Sequence, residues 1–450
     1  MPWRTRAHPV HSLSPRGAPL LLGLLLTPLI GAEAHGIWGH VHVTGWAVEN
    51  MPDDDLRAFL LEPEVFNALL FGAAFTDSGY AANGEANRAY SEHTHWEPFI
   101  QDYIAWIQAN DPPPWDSLES KKRVAFLLGC ASHGLQDSLF DSLFLYHAEE
   151  RDGADQDATD PGTDGFLVMD EHVRFVPEQD LPMTTLLELY GSLEPPVTED
   201  VILNSVGLMT SFYVNDTVGL DIARSLGEGL EAEIPWTRTH YLDPEIPGSL
   251  RAEIFPTMHY QQAIWKRLHG DFSPDEATVH TFPERPRRLL TGDPSTAGSW
   301  ASLVFGAGVH YRDDLLRLTG PDGPVDVTQQ NTRWGAEYTR LIRLLPEETL
   351  VPGGWYTLEL EPVDLIDGTT ATTPFTFDFQ VTCDEDAMAD CPDQSAAIQV
   401  AHIDGLPQSE SPKPASPPSC GCDVSGGHPA SLVLMGLLAG LGLRQRRRPD

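Results

Sequence analysis

One apolar helical stretch, residues 121–141, most constrains the fold, because it carries ionisable side chains where a buried helix face should be. Its sequence is KKRVAFLLGCASHGLQDSLFD, in which His133, Asp137 and Asp141 recur at intervals of four residues. Side chains at that spacing lie on one helix face, about 5–6 Å apart. Buried carboxylates without a positive partner are costly, so this face predicts a bound divalent cation. The alternative is an amphipathic helix whose His/Asp stripe faces solvent or meets a lysine from elsewhere.

The N-terminal segment has the pattern of a signal peptide. Three arginines precede an apolar run, and Ala32-Glu33-Ala34 then matches the small-x-small rule for cleavage. We therefore predict a signal peptide over residues 1–34 and His35 as the mature N-terminus. Its loss takes the formal charge from −38 to −40, because the segment holds three arginines and one glutamate. Such acidity argues against strong binding to nucleic acids or anionic membranes, which favour clustered Lys and Arg.

The C-terminal segment, residues 419–450, resembles the bacterial sorting tails that direct processing and retention at the cell surface. Its Cys420-Gly-Cys422 motif precedes an apolar stretch, residues 430–443, and then a cluster of arginines. As a helix this stretch would span about 21 Å, less than the roughly 30 Å of a bilayer core. The sequence therefore predicts a short sorting or anchor segment on an exported protein. The alternative is a marginal transmembrane helix with a positive flank inside.

The remaining cysteines indicate little use of disulfides. Cys383 and Cys391 bracket an acidic loop, and in an exported chain they are expected to pair. Cys130 lies inside the apolar helix described above, a position typical of a buried thiol.

The hydrophobic periodicity changes near residue 272. Before that point a helical period predicts an all-α domain over residues 35–272. From residue 282 the pattern shortens to alternation, which predicts an all-β immunoglobulin-like sandwich over residues 285–382. An acidic and Pro/Ser-rich linker is predicted over residues 383–418. The predicted helices span residues 41–51, 64–75, 96–109, 121–147, 181–193, 200–226 and 250–268, and the clearest strands span 355–360 and 375–381.

Further histidines and aspartates in the helical half extend the candidate metal site. His40 follows the predicted mature N-terminus by five residues, and a free terminal amine with its carbonyl could chelate a metal together with this side chain. Asp77 lies at the end of one predicted helix, and His95 lies at the start of another. Asp160 and Asp164 are four residues apart in an acidic loop that contains glycine.

In combination these strings resemble the zinc-dependent phospholipase C and single-strand nuclease superfamily, and within it the amino-terminal domain of glycosylphosphatidylinositol-specific phospholipase D. The resemblance covers about residues 35–270. The matching strings are His40-Val41 with Ala47, Thr94-His95-Trp96-x-Pro98-Phe99, Ala125-Phe126-Leu127-x-Gly129, Ser132-His133-x-x-x-Asp137 and the helical pattern of residues 186–199.

The resemblance implies an all-helical domain with a cleft that holds three zinc ions. Asp137 would bridge the first zinc to a second one, held by His40 and by the backbone amine and carbonyl of His35. Mixed His and carboxylate ligands suit zinc, and open positions between paired metals suit phosphodiester hydrolysis. The ligands implied for the first zinc are Asp77, His95, His133 and Asp137.

The third metal position departs from the family pattern. Relatives usually have two histidines and an acid there, whereas the corresponding residues here are Asp141, Asp160 and Asp164. Three carboxylates match Ca²⁺, Mg²⁺ or Mn²⁺ better than zinc. We therefore expect two zinc ions and a third site of oxygen ligands, open to Ca²⁺ or Mg²⁺. The alternative is a solvated acidic rim, since residues 149–170 are acidic throughout.

These features predict an exported phosphodiesterase that hydrolyses phospholipid in the manner of a phospholipase C or D. The resemblance implies attack on phosphorus by a zinc-bound hydroxide, since zinc lowers the pKa of water from 15.7 to about 7. Asp77 is the candidate that orients or deprotonates this water. One alternative is a single-strand nuclease of the same fold, with aromatic stacking positions in its cleft. The other is a surface adhesion protein with a structural metal cluster. Head group, C or D cleavage and oligomeric state are left open.

Overall fold

The computed structural model describes residues 36–215, 217–284, 288–332 and 336–382, all of which belong to one compact unit of the chain. The predicted signal peptide, His35, the Cys383–Cys391 pair, the linker and the sorting tail lie outside the described residues. The α-helices are α1 Ile37–Glu49, α2 Asp55–Leu60, α3 Pro63–Phe75, α4 Glu85–Thr94, α5 Glu97–Asn110, α6 Leu118–Leu139, α7 Leu145–Asp152, α8 Gln156–Met169, α9 Met183–Leu189, α10 Glu199–Phe212, α11 Val218–Leu230, α12 Pro235–His240 and α13 Ile254–His269.

Helix α6, the core of the stretch described first, is buried from Val124 through Leu139. The Ser117 side chain caps its N-terminus by accepting a hydrogen bond from the backbone N–H of Ser120 at 3.0 Å. A π-helix over Phe140–Phe144 then joins α6 to α7. Because α6 is surrounded by other helices, any polar side chain along it must find partners inside the protein.

Two glycines let α6 cross α3 at close range. A Cβ atom on Gly129 would lie 2.1 Å from the carbonyl oxygen of Leu69, and one on Gly72 would lie 2.4 Å from that of Phe126. Real side chains cannot occupy those positions, so glycine allows the two backbones to touch. The crossing also brings the Ala73 carbonyl next to α6.

The strands form three sheets, of which the largest two have the orders β1-β3-β7-β6 and β2-β11-β8-β4-β5. Neighbouring strands are antiparallel except β2 and β11, which run parallel. A small sheet pairs β9 with β10. The strands are β1 Thr278–Phe282, β2 Arg288–Leu289, β3 Ala301–His310, β4 Leu316–Gly320, β5 Gly323–Val325, β6 Val327–Asn331, β7 Tyr338–Pro346, β8 Trp355–Leu360, β9 Val363–Asp364, β10 Thr370–Ala371 and β11 Phe375–Val381.

The first sheet is covered on both faces, by helices on one side and by the five-stranded sheet on the other. Leu303 and Phe305 of β3 belong to the core shared with the second sheet. Val304, between them, belongs to the core of the helices, as does Leu341 of β7. Gly306 lets helix α13 approach, since a Cβ there would lie 2.5 Å from the Cβ of Ala263. The helices and the first sheet therefore share one core.

The prediction of an all-α domain followed by an immunoglobulin-like sandwich is wrong as a fold class. The described chain mixes helices with several sheets inside one compact unit, and one of its large sheets contains a parallel pair. Helical period and strand alternation describe single elements and do not show which elements pack together. In the structure the face of β3 that bears Gly306 and Gly308 contacts Ala263 and Glu97 of two helices.

Predictions about single elements agree better with the structure than the predicted fold class does. The strands predicted at residues 355–360 and 375–381 have those bounds in the structure. The helix predicted over residues 200–226 is instead two helices, α10 and α11. Cys130 is a buried free thiol, as predicted. Among the described helices, none is long and apolar enough to cross a membrane.

Candidate metal centre

Five side chains from four elements converge beside α6. His40 comes from α1, Asp77 from the 3-10 helix Thr76–Ala81, and His95 from the residue that ends α4, while α6 supplies His133 and Asp137. The imidazoles are at most 4% exposed, and the carboxylates of Asp137 and Asp77 are 10% and 12% exposed. The structure thus brings together the side chains that the sequence predicted as ligands of two zinc ions, apart from His35, which is not described.

Two histidine nitrogens in this cluster lie close to each other and to the same two carboxylate oxygens. The Nε2 atom of His95 lies 3.2 Å from Asp77 Oδ1 and 3.1 Å from Asp137 Oδ2. The Nε2 atom of His133 lies 3.3 Å from each of these oxygens and 3.2 Å from His95 Nε2. Imidazole nitrogens and carboxylate oxygens are ligands that zinc binds at about 2.0–2.2 Å. The donor types of this cluster therefore fit zinc.

Hydrogen bonds on the far side of the rings fix which nitrogen faces the cluster. His133 Nδ1 lies 2.6 Å from the Ala73 carbonyl oxygen, and His95 Nδ1 lies 2.7 Å from that of Ser91. A carbonyl can only accept, so each Nδ1 donates, and in the neutral ring each Nε2 presents a lone pair. Partners of this kind orient metal-binding histidines and set their tautomer. With both rings neutral, two lone pairs therefore face two carboxylates, an arrangement that a metal cation between them would stabilise.

A second group of donors shares members with the first. His40 Nε2 lies 3.1 Å from Asp137 Oδ1, the oxygen that faces away from His95. The His40 ring stacks on that of His133, with centroids 3.6 Å apart. His40 Nδ1 lies 2.9 Å from Gln136 Oε1, and the Gln136 amide donates to Thr44 Oγ1 at 3.0 Å. Each oxygen of Asp137 thus faces a different histidine, as a carboxylate that bridges two cations would.

The electrostatics of the cluster indicate the same need for positive charge. Burial alone would lower the pKa of His133, but the carboxylates of Asp137 and Asp77 raise it to about 9. The same carboxylates raise the pKa of His95 well above its ordinary value despite burial. Burial would raise the pKa of Asp137, but His133 and His40 hold it well below the usual range. His133 and His95 likewise lower the pKa of Asp77 despite its burial, so both acids remain ionised in the interior.

The three acids predicted for a third metal do not join this cluster. In the described part of the chain, the groups of donor atoms within 4.8 Å of one another include none of Asp141, Asp160 and Asp164. The Asp164 carboxylate instead accepts from the backbone N–H groups of Trp38 and Gly39 at 3.0 and 2.7 Å. It therefore caps the N-terminus of α1, where a carboxylate is favoured.

The other two acids have different surroundings. Gln156 Nε2 donates to Asp141 Oδ1 at 3.2 Å. Asp160 is buried, and its Oδ1 has no hydrogen-bond partner among the described residues. Burial, followed by the charges of Asp141 and Asp137, raises the pKa of Asp160 well above its ordinary value. A third metal therefore remains a prediction for these residues.

Sequence reasoning missed several residues around the cluster. Gln136 orients His40, and the available signal was a polar side chain beside Asp137 in an apolar helix. Tyr80 and Trp96 flank His95, with ring centroids 5.8 and 6.3 Å away. Both donate to the Glu92 carboxylate, at 3.2 and 3.0 Å, so one acid orients two half-buried aromatic side chains next to the candidate ligand.

His42 is a buried neighbour of the cluster with a structural role. Its Nδ1 donates to the Trp38 carbonyl at 2.8 Å, and its Nε2 accepts from the backbone N–H groups of Arg174 and Phe175 at 2.8 and 3.2 Å. Both nitrogens are thus occupied by backbone groups. His42 ties α1 to the segment that follows α8 rather than facing the candidate ligands.

We expect His42 to make the fold sensitive to acid. Burial lowers its pKa from the ordinary 6.5 to about 4. Between these pKa values the unfolded chain binds a proton that the folded protein excludes. The free energy of unfolding therefore decreases by about 3 kcal/mol in total as the pH is lowered through this range. Urea titrations of metal-free wild type and His42→Gln at about pH 7 and about pH 4 measure this contribution. An equal loss of stability in both proteins would contradict it.

Comparison with known proteins finds partial similarity to one enzyme. Phosphatidylinositol-glycan-specific phospholipase D from Dictyostelium discoideum is 40% identical over 125 residues, which cover 28% of this chain and 13% of that protein. The bovine protein is 33% identical over 131 residues, covering 28% and 15%. The mouse protein is 29% identical over 198 residues, covering 40% and 23%. The matches therefore span less than a quarter of each relative.

Comparisons with protein-family models and with solved structures assign neither a family nor a fold. No protein-family model matches the chain. Among solved structures, surface layer protein SbsC, domains 1–6, overlaps with a TM-score of 0.20 at 11% identity, covering 71% of this chain and 46% of that one. An overlap this small does not identify a fold. The sequence matches alone carry the relationship, and they make this chain a distant, partial homologue of phosphatidylinositol-glycan-specific phospholipase D.

Proposed function

We propose that this protein is an exported, zinc-dependent phosphodiester hydrolase that cleaves phospholipids in the manner of a phospholipase C or D. The observation that carries the proposal is a cluster in which the Nε2 atoms of His95 and His133 each lie 3.1–3.3 Å from a carboxylate oxygen of Asp77 and of Asp137. His40 adds a third imidazole, 3.1 Å from the second oxygen of Asp137. Homology to a named phospholipase D supports a hydrolase.

In this proposal the residues of the cluster would bind the metal ions and orient the water molecule. Asp77, His95, His133 and Asp137 would hold one zinc ion, and His40 with Asp137 would hold a second. When bound, zinc would lower the pKa of water and stabilise charge on the phosphoryl oxygens. Asp77 has the most exposed side chain of the group, so its second oxygen is the candidate that orients water and accepts its proton.

We further propose that the protein is exported and that it has the domain limits predicted from its sequence. We expect cleavage after residue 34, a helical region over residues 35–272, a strand region over residues 285–382, a linker over 383–418 and a sorting segment over 419–450. The terminal amine and carbonyl of His35 would complete the second zinc site, and Asp141, Asp160 and Asp164 would bind a third cation of oxygen-ligand type. N-terminal sequencing of the exported protein tests the cleavage site.

A second candidate function is a single-strand nuclease. Tyr80 and Trp96, held by Glu92 beside His95, could stack on the bases of a single strand. The formal charge of −38 weighs against a polyanion, because nucleic-acid binding depends largely on Lys and Arg. Parallel assays on phosphatidylcholine, phosphatidylinositol and single-stranded DNA separate the two enzymes. Zinc binding with no hydrolysis of any of them would favour the adhesion protein with a structural metal.

Removal of the metal is expected to abolish hydrolysis and to lower the unfolding temperature. Zinc that binds only the folded protein stabilises it by about 4 kcal/mol at a thousandfold excess over its dissociation constant. The test is metal analysis of protein starting at His35, then dialysis against a chelator, with hydrolysis of a chromogenic phosphodiester and thermal unfolding measured before and after. Readdition of zinc should restore both. A protein that holds no zinc, or stays active without it, would refute the proposal.

A further inference from the structure

Arg340, a buried arginine of strand β7, contacts the backbone of a candidate metal ligand. Its Nη2 atom donates to the carbonyl oxygen of His95 at 2.6 Å, and the residue is 2% exposed. This carbonyl lies at the C-terminal end of α4, where carbonyl groups lack partners within the helix and a cation is favoured by the helix dipole. A charged side chain from the sheet thus reaches into the helical layer and binds the residue that carries the imidazole.

The same guanidinium lies against α6 beside the second imidazole. A Cβ atom on Gly134 would lie 2.2 Å from the His95 carbonyl oxygen and 2.8 Å from Arg340 Nη1. Gly134 directly follows His133, so the absence of a side chain at this position lets the two ligand-bearing backbones and the guanidinium meet. Arg340 therefore contacts a place where the backbones of His95 and Gly134 of α6 approach each other.

Glu97 holds Arg340 in this position from the other side. Arg340 Nε lies 3.4 Å from Glu97 Oε1, which also accepts a hydrogen bond from the Tyr260 hydroxyl. Glu97 Oε2 accepts from the backbone N–H of Gly308 at 2.9 Å and lies 3.8 Å from Arg267 Nη1. If the guanidinium moved away from Glu97, both charges would be buried without a partner, which is energetically costly. The ion pair therefore holds the guanidinium in this position.

We propose that Arg340 is a positioning residue for the metal centre, which fixes the His95 ligand by binding its backbone carbonyl. The inference rests on the proposed function, because it requires that His95 binds a metal. The Ser91 carbonyl orients the His95 ring through Nδ1, while Arg340 fixes the main chain that carries the ring. The strand region would then be part of the apparatus that holds the metal, rather than a separate appendage.

The test compares Arg340→Met with Arg267→Met in the whole chain. Both substitutions remove a buried guanidinium beside Glu97, but only Arg340 touches His95. We expect Arg340→Met to weaken zinc binding about 10–100-fold, the usual effect of losing a partner that orients a ligand. Arg267→Met should bind zinc as the wild type does, and Arg340→Lys should recover part of the loss. Zinc affinity is measured by competition with a chromogenic chelator, and the visible spectrum of the Co²⁺ form reports ligand geometry.

The outcomes separate a positioning role from a structural one. A merely structural role would lower the unfolding temperature of both methionine variants and leave their zinc affinities equal, which would overturn the inference. If Arg340→Met does not fold, Arg340→Lys and Arg267→Lys replace the pair, and equal affinities in them would have the same meaning. Failure of the wild-type protein to bind zinc would overturn the proposed function and this inference with it, and the wild-type measurement alone identifies that case.

Discussion

Replacement of Asp137 by asparagine is expected to lower zinc affinity more than about 100-fold, beyond the 10–100-fold typical for partners outside the coordination sphere. Asp137 is the member shared by both groups of donors, since one oxygen faces His40 and the other faces His95 and His133. Asparagine keeps the shape but removes the charge and turns one of these oxygens into an N–H donor. Hydrolysis of a chromogenic phosphodiester should fall with the loss of metal, as kcat/KM measurements would detect.

Asp152 offers a matched control for this substitution. Its carboxylate accepts from the backbone N–H groups of Trp236 and Thr237 at 2.8 and 2.9 Å, and so caps helix α12. Asp152→Asn makes the same chemical change away from the cluster. We expect it to lower the free energy of unfolding by about 1 kcal/mol, because an amide offers one acceptor oxygen where the carboxylate uses two, while zinc affinity stays unchanged. Normal zinc binding by Asp137→Asn would show that the cluster is not the metal site.

Substitution of Gly129 by alanine is expected to destabilise the protein by about 3 kcal/mol, the upper range for overpacking a buried contact. The added Cβ would lie 2.1 Å from the Leu69 carbonyl oxygen and 2.7 Å from the Ala73 nitrogen, so α3 and α6 would have to separate. That movement would also stretch the 2.6 Å contact between His133 Nδ1 and the Ala73 carbonyl. We therefore expect weaker zinc binding as well. Urea denaturation and chelator competition measure the two effects.

Gly207 is the control for this effect, because it lies inside helix α10 and a Cβ there would meet no atom within 4 Å. Alanine has the higher helix propensity, so Gly207→Ala should raise the free energy of unfolding by about 0.5–1 kcal/mol. Opposite signs for the two substitutions are the expected result. Similar small changes in both would show that α3 and α6 adjust to a methyl group without cost.

The helical period was sufficient to place His133 and Asp137 on one face of α6, because neighbours four residues apart lie together on any α-helix. The same rule ranked Asp141 with them. In the structure a π-helix begins at Phe140, one residue before Asp141, and the Asp141 side chain does not join the donor groups. The π-helix changes the helical repeat at that point, so a rule based on a regular α-helix no longer applies.

The partners from other elements could not be derived from spacing. Resemblance to a family points to His40, Asp77 and His95, and the tertiary structure brings their donor atoms within 3.1–3.3 Å of those of α6. Nothing in the sequence singles out Arg340, because a single arginine in a predicted strand is common. Its contact with His95 depends on which helix the strand faces.

The local elements and the chemistry available to them could be predicted from the sequence alone: a long buried helix with His133 and Asp137 on one face, strands at residues 355–360 and 375–381, and a strongly acidic chain. These follow from periodicity, propensity and composition, which act over a few residues. The packing of the first sheet on the helices and the contact between Arg340 and His95 became evident only from the folded chain. Such contacts depend on close approach at Gly129, Gly134 and Gly306, and a glycine in a sequence does not show which distant backbone will occupy the space it leaves.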